Sequence, residues 1–347
     1  MTKPLLSICI ATVNRAEFLA VMLESIVGQA TDDIEIVIVD GASTDNTGQV
    51  VEGYQKRFAG IRYFRLSMKG GVDQDYNRAV ELAEGDYCWL MSDDDQLKPG
   101  ALQCVLSSMR GGFGVIIVNG ETVTFDLTRV LVPRHLPLET DSTFFPADQE
   151  RFFALGANYL TFIGCVVIRR TLWLAREREK YFGTVFVHVG VVFQAPIAEG
   201  IHVIAEPLIL IRHGNTSWLG AHFEIWNFKW PDIIWSFPYS DQAKAQVTLR
   251  EPWRNKKGLL TSRAKGAYSL DNYERLLEPQ LNSRSERFLS RFIALTPGWL
   301  ANLIVVVYFS IFRRRDLQAT ADLQTSRFYF LKWMRARAPH VLARGSR

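Results

Sequence analysis

Hydrophobic and polar positions in the first third of the chain separate into blocks. Leu5–Thr12, Ile34–Val39 and Tyr87–Met91 are nearly unbroken apolar runs of strand length, and Ile61–Leu66 reads as a further strand. The stretches between them have helical character. In Ala16–Gln29 the residues Phe18, Leu19, Met22, Leu23 and Ile26 recur at helical spacing. Ser43–Thr47 is rich in caps and turns and leads into a helix over Gln49–Phe58. Gly70-Gly71 breaks the chain ahead of a helix over Asp73–Glu84, and Pro99-Gly100 ahead of one over Ala101–Met109. Apolar strands alternating with helices predict an α/β fold built on a mostly parallel, doubly wound sheet.

The pattern then becomes less regular. Val115–Asn119 and Thr122–Phe125 read as strands, and Pro133–Phe145 as a loop mobile over the site. Ala154–Arg169 contains an apolar, strand-like piece, Thr171–Tyr181 a charged helix, and Ile201–Ile211 another strand. His222–Tyr239 is dense in aromatic rings, which suit sugar stacking, a membrane interface or plain core packing. Residues 243–293 read as helical and charged. Phe292–Phe312 then has no charged residue in 21 positions, and Arg313-Arg314-Arg315 follows. Its uninterrupted part, Trp299–Phe312, is 14 residues. At a rise of about 1.5 Å per residue that gives about 21 Å, short of the roughly 30 Å hydrocarbon core. An interfacial helix at about 294–315, with its arginines toward anionic lipid, is the expectation, and a buried core helix competes with it.

Composition adjusts this picture in two places. The chain has 347 residues and a formal charge of +4, but the charge is uneven. Arg313–Arg347 holds nine Lys and Arg against two Asp, a balance of +7, which leaves −3 for everything before it. The basic character belongs to the tail, so a nucleic-acid-binding core is not expected. The four cysteines, Cys9, Cys88, Cys104 and Cys165, have no metal-ligand spacing and read as reduced thiols of a cytosolic protein. Leu5–Val13 is too short for a secretory signal, so none is expected.

The chemistry centres on Ser92-Asp93-Asp94-Asp95, which ends the apolar run Tyr87–Met91. Carboxylates crowded at the C-terminal end of a buried strand repel one another and favour a hard cation, Mg²⁺ or Mn²⁺, whose other positions suit substrate phosphates. A capped, solvated turn is the competing reading. Asp40 follows a second buried strand and reaches the same edge. There is no GxGxxG after the first strand and no GxxxxGK[ST], so the usual phosphate-binding loops are not supported.

Thr12-Val-Asn14-Arg15, Asp40-Gly-Ala-Ser-Thr-Asp45, Asn77 and Ser92–Asp95 with Pro99 occur in this order over roughly residues 5–215. The series resembles family 2 glycosyltransferases of the GT-A fold. The resemblance implies a nucleotide-sugar site. Thr12, Asn14 and Arg15 would lie near the nucleotide, Asp40 would meet the base, and Asn77 would line the donor pocket. It also implies a DxD element, with Asp93 on the nucleotide-sugar and Asp94 on the metal. Ser92 stands where the first Asp is usual. Asp93-x-Asp95 is a second way to recover the pattern, so Asp95 joins Asp94 as a candidate metal ligand. Arg212 and His213 are similar to the element that closes the family's catalytic domain, the Arg toward the diphosphate and the His toward the metal. A branch resemblance to abequosyltransferase-like proteins implies O-antigen biosynthesis.

One departure is informative. Inverting members carry a Glu-Asp pair whose Asp is the base, and here that slot holds His188-Val189. His188 is the candidate base. A hydrogen-bonded structural histidine, or a retaining reaction that needs no base, are the alternatives. The expectation is a catalytic domain over 1–215 and an aromatic, helical region over 216–347. It would transfer a sugar from a nucleotide-diphosphate donor to a lipid-linked or other glycan at the cytoplasmic face of the inner membrane, peripherally or monotopically attached. A sugar nucleotidyltransferase and an inactive assembly protein of the same fold are the other classes.

Overall fold

The computed structural model describes residues 3–215, 220–313 and 316–330. Arg314 and Arg315 of the predicted lipid-facing cluster, and the basic tail beyond 330, lie outside them. The described chain forms two compact units, 3–215 with Asp232–Leu249, and 220–231 with 250–330.

The first unit follows the strand–helix order expected. β1 (Leu6–Thr12), α1 (Ala16–Val27), β2 (Ile34–Asp40), α2 (Thr47–Gln55), β3 (Ile61–Arg65), α3 (Val72–Leu82) and β4 (Tyr87–Met91) come in succession. Then come the short β5 (Gln96–Leu97), α4 (Ala101–Met109), β6 (Val115–Val123), β7 (Val130–Val132), β8 (Ser142–Phe144) and α5 (Gln149–Gly156). β9 (Val166–Arg169), α6 (Arg170–Ala175), α7 (Val187–Phe193) and β10 (Ile201–Arg212) complete the series. The sheet order is β3-β2-β1-β4-β9-β6-β10-β5, with β7 on β6 and β8 on β10. β3, β2, β1 and β4 are mutually parallel, as are β6 and β10, while β9 runs antiparallel between these groups. Every residue of β2 and β4 is buried, which explains runs without alternation.

The register places the chemistry. Thr12 pairs with Asp40, and Ile10 with Met91, so β1, β2 and β4 end together. β2 lies on one side of β1 and β4 on the other, and in open α/β sheets ligands bind in the crevice at such a switch. β5 then runs antiparallel to β10, pairing Gln96 with Leu210, which brings Arg212 back to the acidic segment.

Several elements differ from the sequence expectation. Val115–Val123 is one strand through Asn119 and Gly120. Asn119 is fully buried because its side chain works inward, donating to the carbonyls of Leu136 and Ala205 and accepting from the Leu136 N–H. That anchors the stretch read as a mobile loop, where Leu136 is buried and Ser142–Phe144 forms β8. Val185–Phe193 yields a helix, α7, capped from outside. Buried Asp73 of α3 accepts from the backbone N–H groups of Val185 at 2.8 Å and Val187 at 3.0 Å. The aromatic segment divides. Phe237 and Tyr239 pack with Phe153 and Phe193 in the first unit, so Asp232–Leu249 joins it and the boundary is not a single cut after 215. Phe223 instead enters the second unit's core with Trp253, Tyr268 and Tyr273. Burial of Phe223, Trp230 and Phe237 makes core packing their role.

The second unit is helical. Lys256–Lys265 packs against Arg284–Leu295 and Gly298–Phe312. Among the described residues no single helix is long and apolar enough to cross a membrane.

Candidate active site

Three consecutive carboxylates meet two arginines at the end of β4. Asp93 is buried, accepting from the Thr12 hydroxyl at 2.7 Å and from Arg15 Nε at 2.8 Å. Arg15 Nη2 also donates to Asp94 Oδ2 at 2.5 Å, so one guanidinium spans both acids. Asp94 Oδ2 accepts from Asn215 Nδ2 at 2.8 Å, and its Oδ1 from Ser92 Oγ. Serine at the place of the usual first Asp therefore orients the second acid. Asp95 is buried and accepts from the Arg212 backbone N–H at 2.8 Å, while Arg212 Nε donates to the Asp94 carbonyl at 3.1 Å. Both guanidiniums lie over the Phe18 ring, Arg15 at 4.9 Å and Arg212 at 5.4 Å from its centroid. Phe18 is thus a shelf for the two cations, whereas Leu19, Met22, Leu23 and Ile26 fill the core.

This cluster keeps an excess of negative charge. Burial, reinforced by Asp94, lifts Asp93 to about 6 despite Arg15, and burial together with Asp94 lifts Asp95 well above the usual range. Such crowding is what a divalent cation relieves. Among the described residues no three His, Cys, Asp or Glu side chains are arranged as a metal cage. An ion that keeps substrate phosphates needs only one or two carboxylates, and Asp94 suits that donor set with lone pairs to spare on Oδ1.

The other expected site residues divide. Asn14 has a left-handed φ of 54°, a conformation asparagine tolerates, and its Oδ1 accepts from the backbone N–H groups of Thr44 and Asp45. It clasps the β1–α1 turn to the β2–α2 turn. Asp40 is fully buried and bound by the Ser43 N–H at 2.7 Å and the Tyr63 hydroxyl. Asn77 instead accepts from Trp173 Nε1 at 3.1 Å and donates to Glu81. The residue of α3 that approaches the Asp40–Gly41 turn is Asp75. It is buried, its carboxyl is raised by burial, and Oδ2 lies 3.4 Å from where a Cβ on Gly41 would sit. A helix position four residues after Gly71 carried no motif to reveal it. His213 follows Arg212, its backbone N–H on the Val123 carbonyl.

His188 does not join the cluster's hydrogen bonds. It is 1% exposed within α7, its Nε2–H donates to the Leu160 carbonyl at 2.7 Å, and Nδ1 is buried without a partner. Burial holds its pKa down to about 4. The ring is therefore neutral at pH 7, and its basic nitrogen faces the interior. Folding must suppress its protonation, so its contribution to stability is complete above about pH 6.5. That contribution is lost as pH falls toward 4, amounting to about 3 kcal/mol. His188→Gln, which can keep the bond to Leu160, is expected to flatten this dependence in denaturant melts at pH 7.5 and 5. Its transferase activity is expected to stay within about threefold of the parent, and a hundredfold loss would identify His188 as the base instead.

The family model for "Glycosyl transferase family 2" matches residues 7–173. The abequosyltransferase RfbV of Salmonella typhimurium is 30% identical over 61% of this chain and 68% of that protein. The chain belongs to glycosyl transferase family 2. A GalNAc(5)-diNAcBac-PP-undecaprenol β-1,3-glucosyltransferase of Campylobacter jejuni is 32% identical over 33% of this chain and 38% of its own length. In fold, this family 2 chain is similar to S. aureus TarS 1-349 in complex with UDP, with a TM-score of 0.56 at 18% identity over 96% of this chain and 92% of that one. The fold is GT-A, and the protein is a glycosyltransferase. Family membership decides against the nucleotidyltransferase alternative.

Proposed function

We propose that the chain transfers a sugar from a nucleotide-diphosphate donor to a lipid-linked glycan, with Mn²⁺ or Mg²⁺, in cell-surface polysaccharide or O-antigen biosynthesis at the cytoplasmic face of the inner membrane. The observation that carries this reading is the acid-rich cluster at the shared end of β1, β2 and β4, held by Arg15 and Arg212. The relatives support the polysaccharide role. One is named an abequosyltransferase, and another is named for an undecaprenol-linked acceptor. A TarS structure is a complex with UDP-GlcNAc, which supports a nucleotide-sugar donor.

Asp94, with Asp95 or His213 as further candidates, would hold the metal. A bound divalent ion acts as a Lewis acid that offsets charge on the departing nucleoside diphosphate. Asp93 and Phe18 hold the Arg15 guanidinium in place, and Phe18 and the Asp94 carbonyl do the same for Arg212. Cations fixed before the reaction stabilise developing phosphate charge without reorganising. Asp75 would accept from base or ribose donors, and Asp40, enclosed by Ser43 and Tyr63, would fix the turn beside it. His188, turned inward, is left out of the chemistry.

A thermal-shift panel of UDP-, dTDP-, CDP- and GDP-sugars, with and without Mn²⁺, tests this. One nucleotide is expected to stabilise the chain by about 2.7 kcal/mol at a hundredfold excess over its Kd, and only with metal. No shift with any donor, or the same shift in Asp94→Asn, would overturn the metal-bridged donor site. Release of free sugar from the binding donor separates an active enzyme from an inactive assembly protein.

A further inference from the structure

Among the described residues, the second unit carries an apolar surface that its own core leaves uncovered. Helix Arg284–Leu295 packs against Lys256–Lys265 and buries Ser290 and Ala294. Its opposite side presents Phe288 at 69% exposure, Phe292 at 62% and Leu295 at 57%, with Leu289 beside them. Phe288 and Phe292 stack with ring centres 6.3 Å apart, so they form one patch. The chain then bends by 98° into Gly298–Phe312. That helix buries Ala301, Asn302 and Val305 and leaves Ile304, Ile311 and Phe312 exposed. Paired rings with Leu289 and Leu295 on the same helix, followed by further exposed apolar side chains on the next, are more than singly scattered exposure.

The charges on the first helix choose the occupant. Arg284, Arg287 and Arg291 are exposed on it. Its one acid, Glu286, is paired with Arg254 at 2.6 Å, so it does not neutralise them. The helices are 12 and 15 residues long. At about 1.5 Å per residue, neither reaches across a hydrocarbon core of about 30 Å. Apolar rings flanked by arginines on a helix too short to span suit the boundary between headgroups and acyl chains. A two-fold contact with a second copy would bring the arginines toward their own mates.

We propose that the elbow formed by Arg284–Leu295 and Gly298–Phe312 is the membrane-docking surface, with Phe288 and Phe292 entering an anionic bilayer and Arg284, Arg287 and Arg291 meeting its headgroups. This places the leading contact on a helix whose sequence reads simply as charged. It rests on the membrane location proposed above and not on the donor chemistry, so nucleotide-sugar binding stands or falls separately.

The test uses the full chain with vesicles of phosphatidylcholine alone or mixed with phosphatidylglycerol, read by co-sedimentation. The parent is expected to bind the mixed vesicles. Phe288→Ser with Phe292→Ser should reduce that partitioning at least about tenfold, as expected for removing two buried rings. Replacing the three arginines by Gln should erase the preference for the anionic lipid. Circular dichroism and denaturant melts equal to the parent's verify that the variants fold. If a variant fails that check, quenching of the parent's tryptophans by brominated lipid reads the same contact, Trp299 standing at the elbow. Parent-like partitioning of a folded double-serine variant, no quenching, or no vesicle binding by the parent would overturn the proposal. So would a lipid-free dimer in light scattering that the serine variant dissociates, which would assign the face to a second copy.

Discussion

Asp94→Asn is expected to lower kcat/KM on the order of 10³-fold, about 4 kcal/mol of transition-state stabilisation, without lowering the melting temperature. Asn keeps the shape and one acceptor oxygen, so the bonds from Arg15 and Asn215 have a partner. It removes the charge that would draw a divalent ion. It also removes one of three crowded carboxylates, and Asp94 is among the groups that push Asp93 and Asp95 upward. The fold should therefore be unchanged or slightly more stable while transfer fails. Steady-state kinetics on the donor identified by thermal shift, paired with a melt, checks both halves. Activity within tenfold of the parent would remove Asp94 from the metal-binding role.

Arg15→Met is expected to produce the largest loss of stability among the site residues, about 3 kcal/mol for the first unit. Arg15 is the cation shared by Asp93 and Asp94, and its side chain is 17% exposed. Deleting it strands Asp93, whose charged form burial already disfavours, and takes the cation from Asp94. The penalty should be greatest near pH 8 and shrink by pH 5, because protonating Asp93, already raised to about 6, removes its stranded charge. Millimolar Mn²⁺ should recover part of it by supplying positive charge to the same acids. Arg15→Lys should fall between the two, since an ammonium cannot span both carboxylates as the guanidinium fork does. Denaturant melts at the two pH values, with and without Mn²⁺, decide this, and a melt identical to the parent's would show that Arg15 is not the counter-charge of the cluster.

The segment around His188 leaves little local signal of its role. His188 stands in an apolar segment where a base is expected, and the sequence gives no means to tell a base from a buried ring. Only the folded chain shows the ring buried against the Leu160 carbonyl with Nδ1 pointing inward, which supports the structural reading that His188→Gln tests. Asn77 illustrates the same limit. A polar residue in mid-helix has several faces to choose from, and its bond to Trp173 depends on α6, nearly a hundred residues later. Asp73 and Asp75 precede Asn77 on the same helix, and only packing shows that one caps α7 and the other approaches the Asp40–Gly41 turn.

The sequence by itself determined the α/β alternation, the strands that end in Thr12, Asp40 and the triple Asp, and the family. Buried parallel strands need unbroken apolar runs, and their ends need turn-forming and charged residues, so both leave local patterns. Tertiary structure alone decided which acid faces which cation, that Phe18 carries two guanidiniums, and that the aromatic segment is shared between two cores. It also turned the Phe288–Phe292 face outward. Those outcomes depend on groups far apart in the chain whose meeting is set by register and packing, and no local period records them.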